Sequence, residues 1–328
     1  VSGPNVRPDL AALIAAALGR AVAADERIAV ATSGGPDSLA LLSLADAAFP
    51  GRVTALTVDH RLRSEAAAEA ASVAAQCAAR GLPHVTLVRE GGDFTSNIQA
   101  RARAARYALM GDWCAAHGHG LLLTAHHADD QAETLLMRLN RASGSYGLAA
   151  IRPARRLQPG VMLVRPLLVV RKADLAALAA ADAWQQVDDP TNRDLRHDRT
   201  AIRALLAATP ALDAAALAAS AAHLAADAEA LAWAADLAWA GRVREADGRL
   251  LVDAGGLPAA LVQRLLASAV ETLAGRPARG SEIARLAARL GAGATGTLAG
   301  IVARPGTIWQ LSVTRPPQKG GKKPQNAA

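Results

Sequence analysis

The first half of the chain alternates two kinds of apolar segment. Short runs of aliphatic residues fall at Ile28–Ala31, Val53–Val58, His84–Val88 and Leu121–Thr124. Between them lie longer segments with apolar residues at helical spacing, Ser38–Ala47, Ser64–Arg80 and Asn97–His117. Short uninterrupted runs read as buried strands and the longer segments as helices. Alternation of this kind predicts an α/β domain built on a parallel sheet with helices on both faces. A further helix is expected over Asp129–Asn140, with Leu135, Leu136 and Leu139 on its buried side. A last strand is expected at Val161–Val164 and a last helix at Lys172–Ala181. Asp188-Asp189-Pro190-Thr191-Asn192 reads as a turn-rich loop, and Pro210 as the end of the first domain.

Beyond Pro210 the pattern changes. Residues 211–247 are Ala-rich and read as a helical connector, and 248–314 as a small C-terminal α/β module. Gly291–Gly300, Ile301-Val302 and Thr307–Val313 look like short strands and turns, and 315–328 like a basic, disordered tail. At 328 residues and 52% hydrophobic, the chain has ample material for two cores, packed mostly with Ala, Leu and Val because aromatics are 3%. No apolar run is long enough to span a bilayer, and no basic-then-apolar leader opens the sequence, so a cytoplasmic location is expected. Cys77 and Cys114 are the two cysteines, far apart, so neither a disulfide framework nor a cysteine metal site is indicated.

The net charge of +7 is unevenly placed. Glu282 is the last acidic residue; after it come Arg285, Arg289, Arg304, Arg315, Lys319, Lys322 and Lys323. That asymmetry points to a polyanion partner such as RNA, a solubilising tail being the alternative.

Ligands in doubly wound sheets bind beyond the carboxyl ends of the strands. The residues there are chemically rich. Ser33-Gly34-Gly35-Pro36-Asp37-Ser38 follows the first strand and opens a helix. Two glycines, two hydroxyls and a helix N-terminus make an anion cradle. No Gly-Lys-Ser/Thr follows, so this is not a Walker loop. Asp59-His60 follows the second strand and His126-His127 the fourth. Read as a helix start, Asp130, Glu133 and Thr134 share one face. Two carboxylates beside a phosphate site suit Mg²⁺ or an ammonium group, an ordinary acidic helix start being the alternative. Arg103 and Arg106, three apart on one helix, can reach a phosphate together or form a solvated basic face.

The Ser33–Ser38 segment resembles the PP-loop of enzymes that cleave ATP between the α and β phosphates. The ordered set is more specific. Val58-Asp59-His60-Arg61-Leu62-Arg63, His126–Thr134, Arg138–Gly144 with Gly147-Leu148, Arg165-Pro166-Leu167-Leu168, Asp189–Asn192 and Arg199–Arg203 resemble the bacterial tRNA(Ile)-lysidine synthases over residues 25 to 210. Two departures are Ala142, where the family often has Gly, and Thr200-Ala201, where it usually has Arg-Asn before the second Ile-Arg. They bear on finer tRNA contacts and leave the nucleotide loop intact.

The resemblance implies a Rossmann-like fold of the PP-loop adenine nucleotide α-hydrolase type. It implies that ATP adenylates the wobble cytidine of a CAU-anticodon isoleucine tRNA, and that free L-lysine then displaces AMP. Implied roles follow by position. Ser33, Gly34, Gly35, Pro36, Asp37, Ser38, Asp59, His60 and Arg103 would bind ATP. Asp37, Asp130, Glu133 and His127 would be catalytic, with Asp37 and Asp130 holding Mg²⁺. Arg138, Arg141, Arg199 and Arg203 would contact tRNA. A homodimer is left open. The rival readings are a PP-loop tRNA thiolase, disfavoured by the lack of Cys-x-x-Cys, an amidotransferase-type synthetase domain, and a non-catalytic RNA-binding protein.

Overall fold

The structure, a computed structural model, describes residues 7–59, 61, 66–90, 98–186 and 198–314. His60, the 188–192 loop and the basic tail from Arg315 onward lie outside the described residues. The chain divides into two compact units, residues 1–141 with 149–223, and 142–148 with 224–328.

The first unit opens with α1 (Leu10–Leu18), β1 (Arg27–Ala31), α2 (Pro36–Ala48), β2 (Val53–Asp59), α3 (Ala66–Ala79) and β3 (His84–Val88). It continues with α4 (Ile98–Ala116), β4 (His119–Leu123) and α5 (Ala128–Leu139). The 142–148 segment carries the short α6 (Ser145–Leu148). Then come β5 (Ala154–Gln158), β6 (Val161–Val164), α7 (Lys172–Ala181) and α8 (Asp198–Ala208). The six strands are ordered β3-β2-β1-β4-β6-β5, parallel except for the edge strand β5. The expected parallel sheet is therefore present.

Alternation along each strand splits the core in two, because successive side chains point to opposite faces. Ile28, Val30, Val53, Ala55, Leu121 and Leu123 face α1, α2, α3 and α7. Ala29, Leu56, Leu122 and Leu163 face Tyr107, Met110 and Cys114 of α4. β5 was not among the expected strands. Its sequence, Ala-Arg-Arg-Leu-Gln, is polar enough for a solvated edge, and Pro159-Gly160 turns it into β6 with Gly160 at φ 76°.

The second unit takes in the later part of α9 (Ala214–Arg242), within which the division between units falls. There follow β7 (Val243–Ala246), β8 (Arg249–Val252), α10 (Ala259–Ala274), α11 (Gly280–Gly291), β9 (Gly296–Leu298), β10 (Ile301–Arg304) and β11 (Trp309–Val313). Its sheet is antiparallel throughout, in the order β7-β8-β11-β10-β9. Ile283, Leu286 and Leu290 of α11, spaced three and four apart, bury against Leu250, Ile301 and Leu311. No helix among the described residues is long and apolar enough to cross a membrane.

Candidate active site

The strand order reverses between β1 and β4, and crevices in such sheets open at that switch. The loop after β1 lies on one side of it. Gly34 sits at φ 82°, a left-handed conformation that a Cβ would penalise. Gly35 is the N-cap of α2 and supplies no side-chain acceptor, and Pro36 takes the first helical position. The leading N–H groups of α2 are thus left to an incoming anion. Ser38 is buried and holds the loop shut: its hydroxyl accepts from Ser33 N at 3.1 Å and donates to Gly35 O at 2.9 Å. Ser33 Oγ lies 3.3 Å from Ser38 Oγ.

The segment after β4 supplies the other side. His127 caps α5 and is 4% exposed. Its Nε2 lies 3.6 Å from Asp37 Oδ2 and 3.5 Å from Asp130 Oδ2, and its Nδ1 lies 3.5 Å from Asp129 Oδ2. Burial opposes charge on the ring, but hydrogen bonds to Asp129 and Asp37 and the charges of Asp130 and Asp37 outweigh it and raise its pKa to about 9. The raised pKa favours the charged ring, whose Nδ1 then donates to Asp129; in the neutral ring Nδ1 accepts from Asp130 N, 3.4 Å away, and caps α5. Asp129, bonded to His127 and against the cost of its own burial, falls to about 2; Lys172 N also donates to it at 2.9 Å. One oxygen of Asp37, Oδ1, is buried without a hydrogen-bond partner among the described residues.

Glu133 is 2% exposed, one turn beyond Asp130. Its carboxylate receives Arg199 Nε at 2.6 Å, Arg203 Nε at 2.7 Å and Arg203 Nη2 at 3.4 Å. Arg199 also pairs with Asp130. The acids at 130 and 133 on α5 thus meet arginines four apart on α8. Four carboxylates, Asp37, Asp129, Asp130 and Glu133, face three cations, His127, Arg199 and Arg203. The cluster keeps a net negative charge.

The structure thus brings Ser33–Ser38, His127, Asp130 and Glu133 into one crevice. Arg199 and Arg203, expected at RNA phosphates, are engaged with carboxylates in it. Asp59 is buried at the end of β2 and accepts from Arg61 N at 2.8 Å, holding its own turn. Arg103 lies on another wall, beside His126 and Tyr107. Arg138 donates to Ala150 O at 3.2 Å, and Arg141 is exposed just after α5. Asp129 and the α8 clamp escaped the sequence reading. The clamp had a signal, an acid pair and an arginine pair both at one-turn spacing.

Residues 7–209 match the family model of a PP-loop domain. The chain is 44% identical over 264 residues to the tRNA(Ile)-lysidine synthase of Novosphingobium aromaticivorans, covering 79% of this chain and 80% of that protein. It is 43% identical over 257 residues to that of Ruegeria pomeroyi, covering 76% of this chain and 61% of that protein. The chain belongs to the tRNA(Ile)-lysidine synthase family. Its fold is also similar to that of a U34-tRNA thiolase, NcsA from Methanococcus maripaludis, with a TM-score of 0.53 and 15% identity over 66% of this chain and 78% of that one. At that identity the likeness is one of fold alone. Thiolase chemistry also finds no support in the two cysteines of this family member. Cys77 and Cys114 are buried in the two separate cores, their thiols pushed up by burial to about 11 and about 12.

Proposed function

We infer that this chain ligates lysine to C2 of the wobble cytidine in the CAU anticodon of isoleucine tRNA, consuming ATP and releasing AMP and pyrophosphate. The observation that carries the reading is the meeting of the Ser33–Ser38 loop with the His127–Asp130–Glu133 cluster at the sheet's switch point, in a chain of this family. The loop and the start of α2 hold the departing pyrophosphate by their N–H groups. The cytidine O2 attacks the α-phosphorus, and the His127 imidazolium faces the charge that develops there. The lysine ε-amine then attacks C2, and AMP departs with O2. An unperturbed lysine ammonium, pKa about 10.4, must first lose a proton. Asp130 or Glu133 binds the ammonium and takes that proton, while sharing its carboxylate with the α8 arginines. Asp59, at the end of β2, borders the adenosine.

Mg²⁺ fits this site. Among the described residues no group of three or more His, Cys, Asp or Glu is placed to hold a metal. Mg²⁺ is commonly held by one or two carboxylates plus substrate phosphates, and Asp37, with its orphaned buried oxygen, and Asp130 offer that set. When bound, the ion would offset negative charge on the phosphates. Residues 248–314 would serve as the tRNA-binding module, through the exposed Arg285, Arg289 and Arg304, and the enzyme would act in the cytoplasm. ATP–pyrophosphate exchange tests the reading. Exchange that requires the tRNA supports it; exchange supported by lysine without tRNA overturns it.

A further inference from the structure

Beside the acidic cluster lies an opposite one. Arg103 and Arg106 from α4, Arg155 from β5 and Arg165 just after β6 gather around Tyr107 and His126, on the β4–β6 side of the crevice. Tyr107 is buried, and the guanidinium carbons of Arg103, Arg106 and Arg155 stand 5.2, 5.7 and 5.4 Å from its ring centroid. Arg103 Nη2 reaches both Tyr107 Oη and His126 Nε2 at 3.2 Å. A guanidinium only donates, so His126 Nε2 accepts and Nδ1 carries the proton toward Thr124 Oγ1, 3.0 Å away. His126 is thus neutral; burial first, then Arg165, Arg103, Arg199 and Arg106, hold its pKa well below the usual value. Two adjacent histidines therefore face opposite fields.

Arg165 is 6% exposed. It donates through Nη1 to Arg152 O at 2.8 Å, while its Nε is buried with no hydrogen-bond partner among the described residues. None of the four arginines pairs with a carboxylate among the described residues. Gathering like charges around a buried ring is unfavourable unless an anion joins them. Forked donors on a ring suit a phosphate oxygen.

We propose that Arg103, Arg106, Arg155 and Arg165 form a second phosphate site, separate from the Ser33–Ser38 loop, that grips a backbone phosphodiester of the substrate RNA beside the nucleotide being modified. Its assignment to the RNA rests on the proposed function. Arg103 then serves the RNA rather than ATP. The polar wall it shares with the acidic cluster places one anion of the strand next to the attacking amine.

Arg103 and Arg155 are exposed, so Arg103→Ala and Arg155→Ala spare the packing that an Arg165 change would disturb. The test titrates full-length protein with isoleucine tRNA at several salt concentrations, and separately with ATP alone. Each variant should raise the tRNA Kd about tenfold at low salt and flatten the salt slope by about 0.7. ATP affinity should stay unchanged, and Arg155→Lys should restore part of the slope. Weakened ATP binding with an unchanged salt slope would assign the cluster to a nucleotide phosphate and overturn the proposal. So would no change in any titration. Wild-type chain that binds tRNA yet makes no lysidine would sink the proposed function and leave the phosphate site to its own salt slope.

Discussion

Replacing Glu133 with glutamine separates what holds the crevice together from what reacts in it. The carboxylate is 2% exposed and takes three hydrogen bonds from Arg199 and Arg203, whose side chains are each 39% exposed. Removing one partner of a fully buried pair costs about 3–5 kcal/mol. Here the charges left behind are the half-exposed guanidinium groups, which water can reach, so the loss falls to about 1–3 kcal/mol. In a unit of this size each kcal/mol moves the midpoint by about 2–4 °C, so a drop on the order of 5 °C is expected in thermal unfolding followed by circular dichroism. In steady-state kinetics the same variant should raise the lysine KM more than the ATP KM. An unchanged midpoint would refute the clamp as a stabilising contact. A change confined to ATP would refute the ammonium-binding role.

Asp37→Ala should abolish tRNA-dependent AMP formation while circular dichroism stays native, and normal AMP formation by the folded variant would remove Asp37 from the site. His127 has a raised folded pKa, about 9 against about 6.5 unfolded, so its contribution is complete below about pH 6.5 and is lost as pH rises through about 9. That is on the order of 3 kcal/mol, read by urea unfolding without magnesium; His127→Gln should flatten the curve over that window, and an identical curve would mean the ring is neutral throughout. Arg285→Ala with Arg304→Ala, both exposed in the second unit, should flatten the salt dependence of tRNA binding and leave ATP binding intact. An unchanged slope would make that basic face a solvated surface only.

The strands were legible because each core strand is a short apolar run, and the loop because Gly34, Gly35 and Pro36 leave few other conformations. The edge strand β5 was not, since solvent on one side removes the apolar signal that marks a strand. The second unit's β7 and β8 were missed for the same reason: only Leu250 and Val252 of their eight residues are buried. The sequence placed Asp130 and Glu133 on one face but left open what they would meet. That depended on α8, 66 and 70 residues further along, turning Arg199 and Arg203 onto Glu133. The one-turn spacing of each pair was visible locally, but nothing local says that the two pairs meet. The opposite states of His126 and His127 are hidden in the same way: His126 is set by arginines from α4, α8 and the segment after β6, and His127 by Asp37 of α2 together with its own helix α5.

The central claim is a reaction, and its product can be weighed. Isoleucine tRNA bearing an unmodified CAU anticodon, incubated with the full chain, ATP, magnesium and lysine, should yield lysidine on nucleoside digestion and mass spectrometry, with AMP formed in equal amount. Omitting lysine should leave AMP release to trail off without a modified nucleoside. Unchanged cytidine in the presence of all components, or a sulfur-bearing base in its place when a sulfur donor is supplied, would contradict the account.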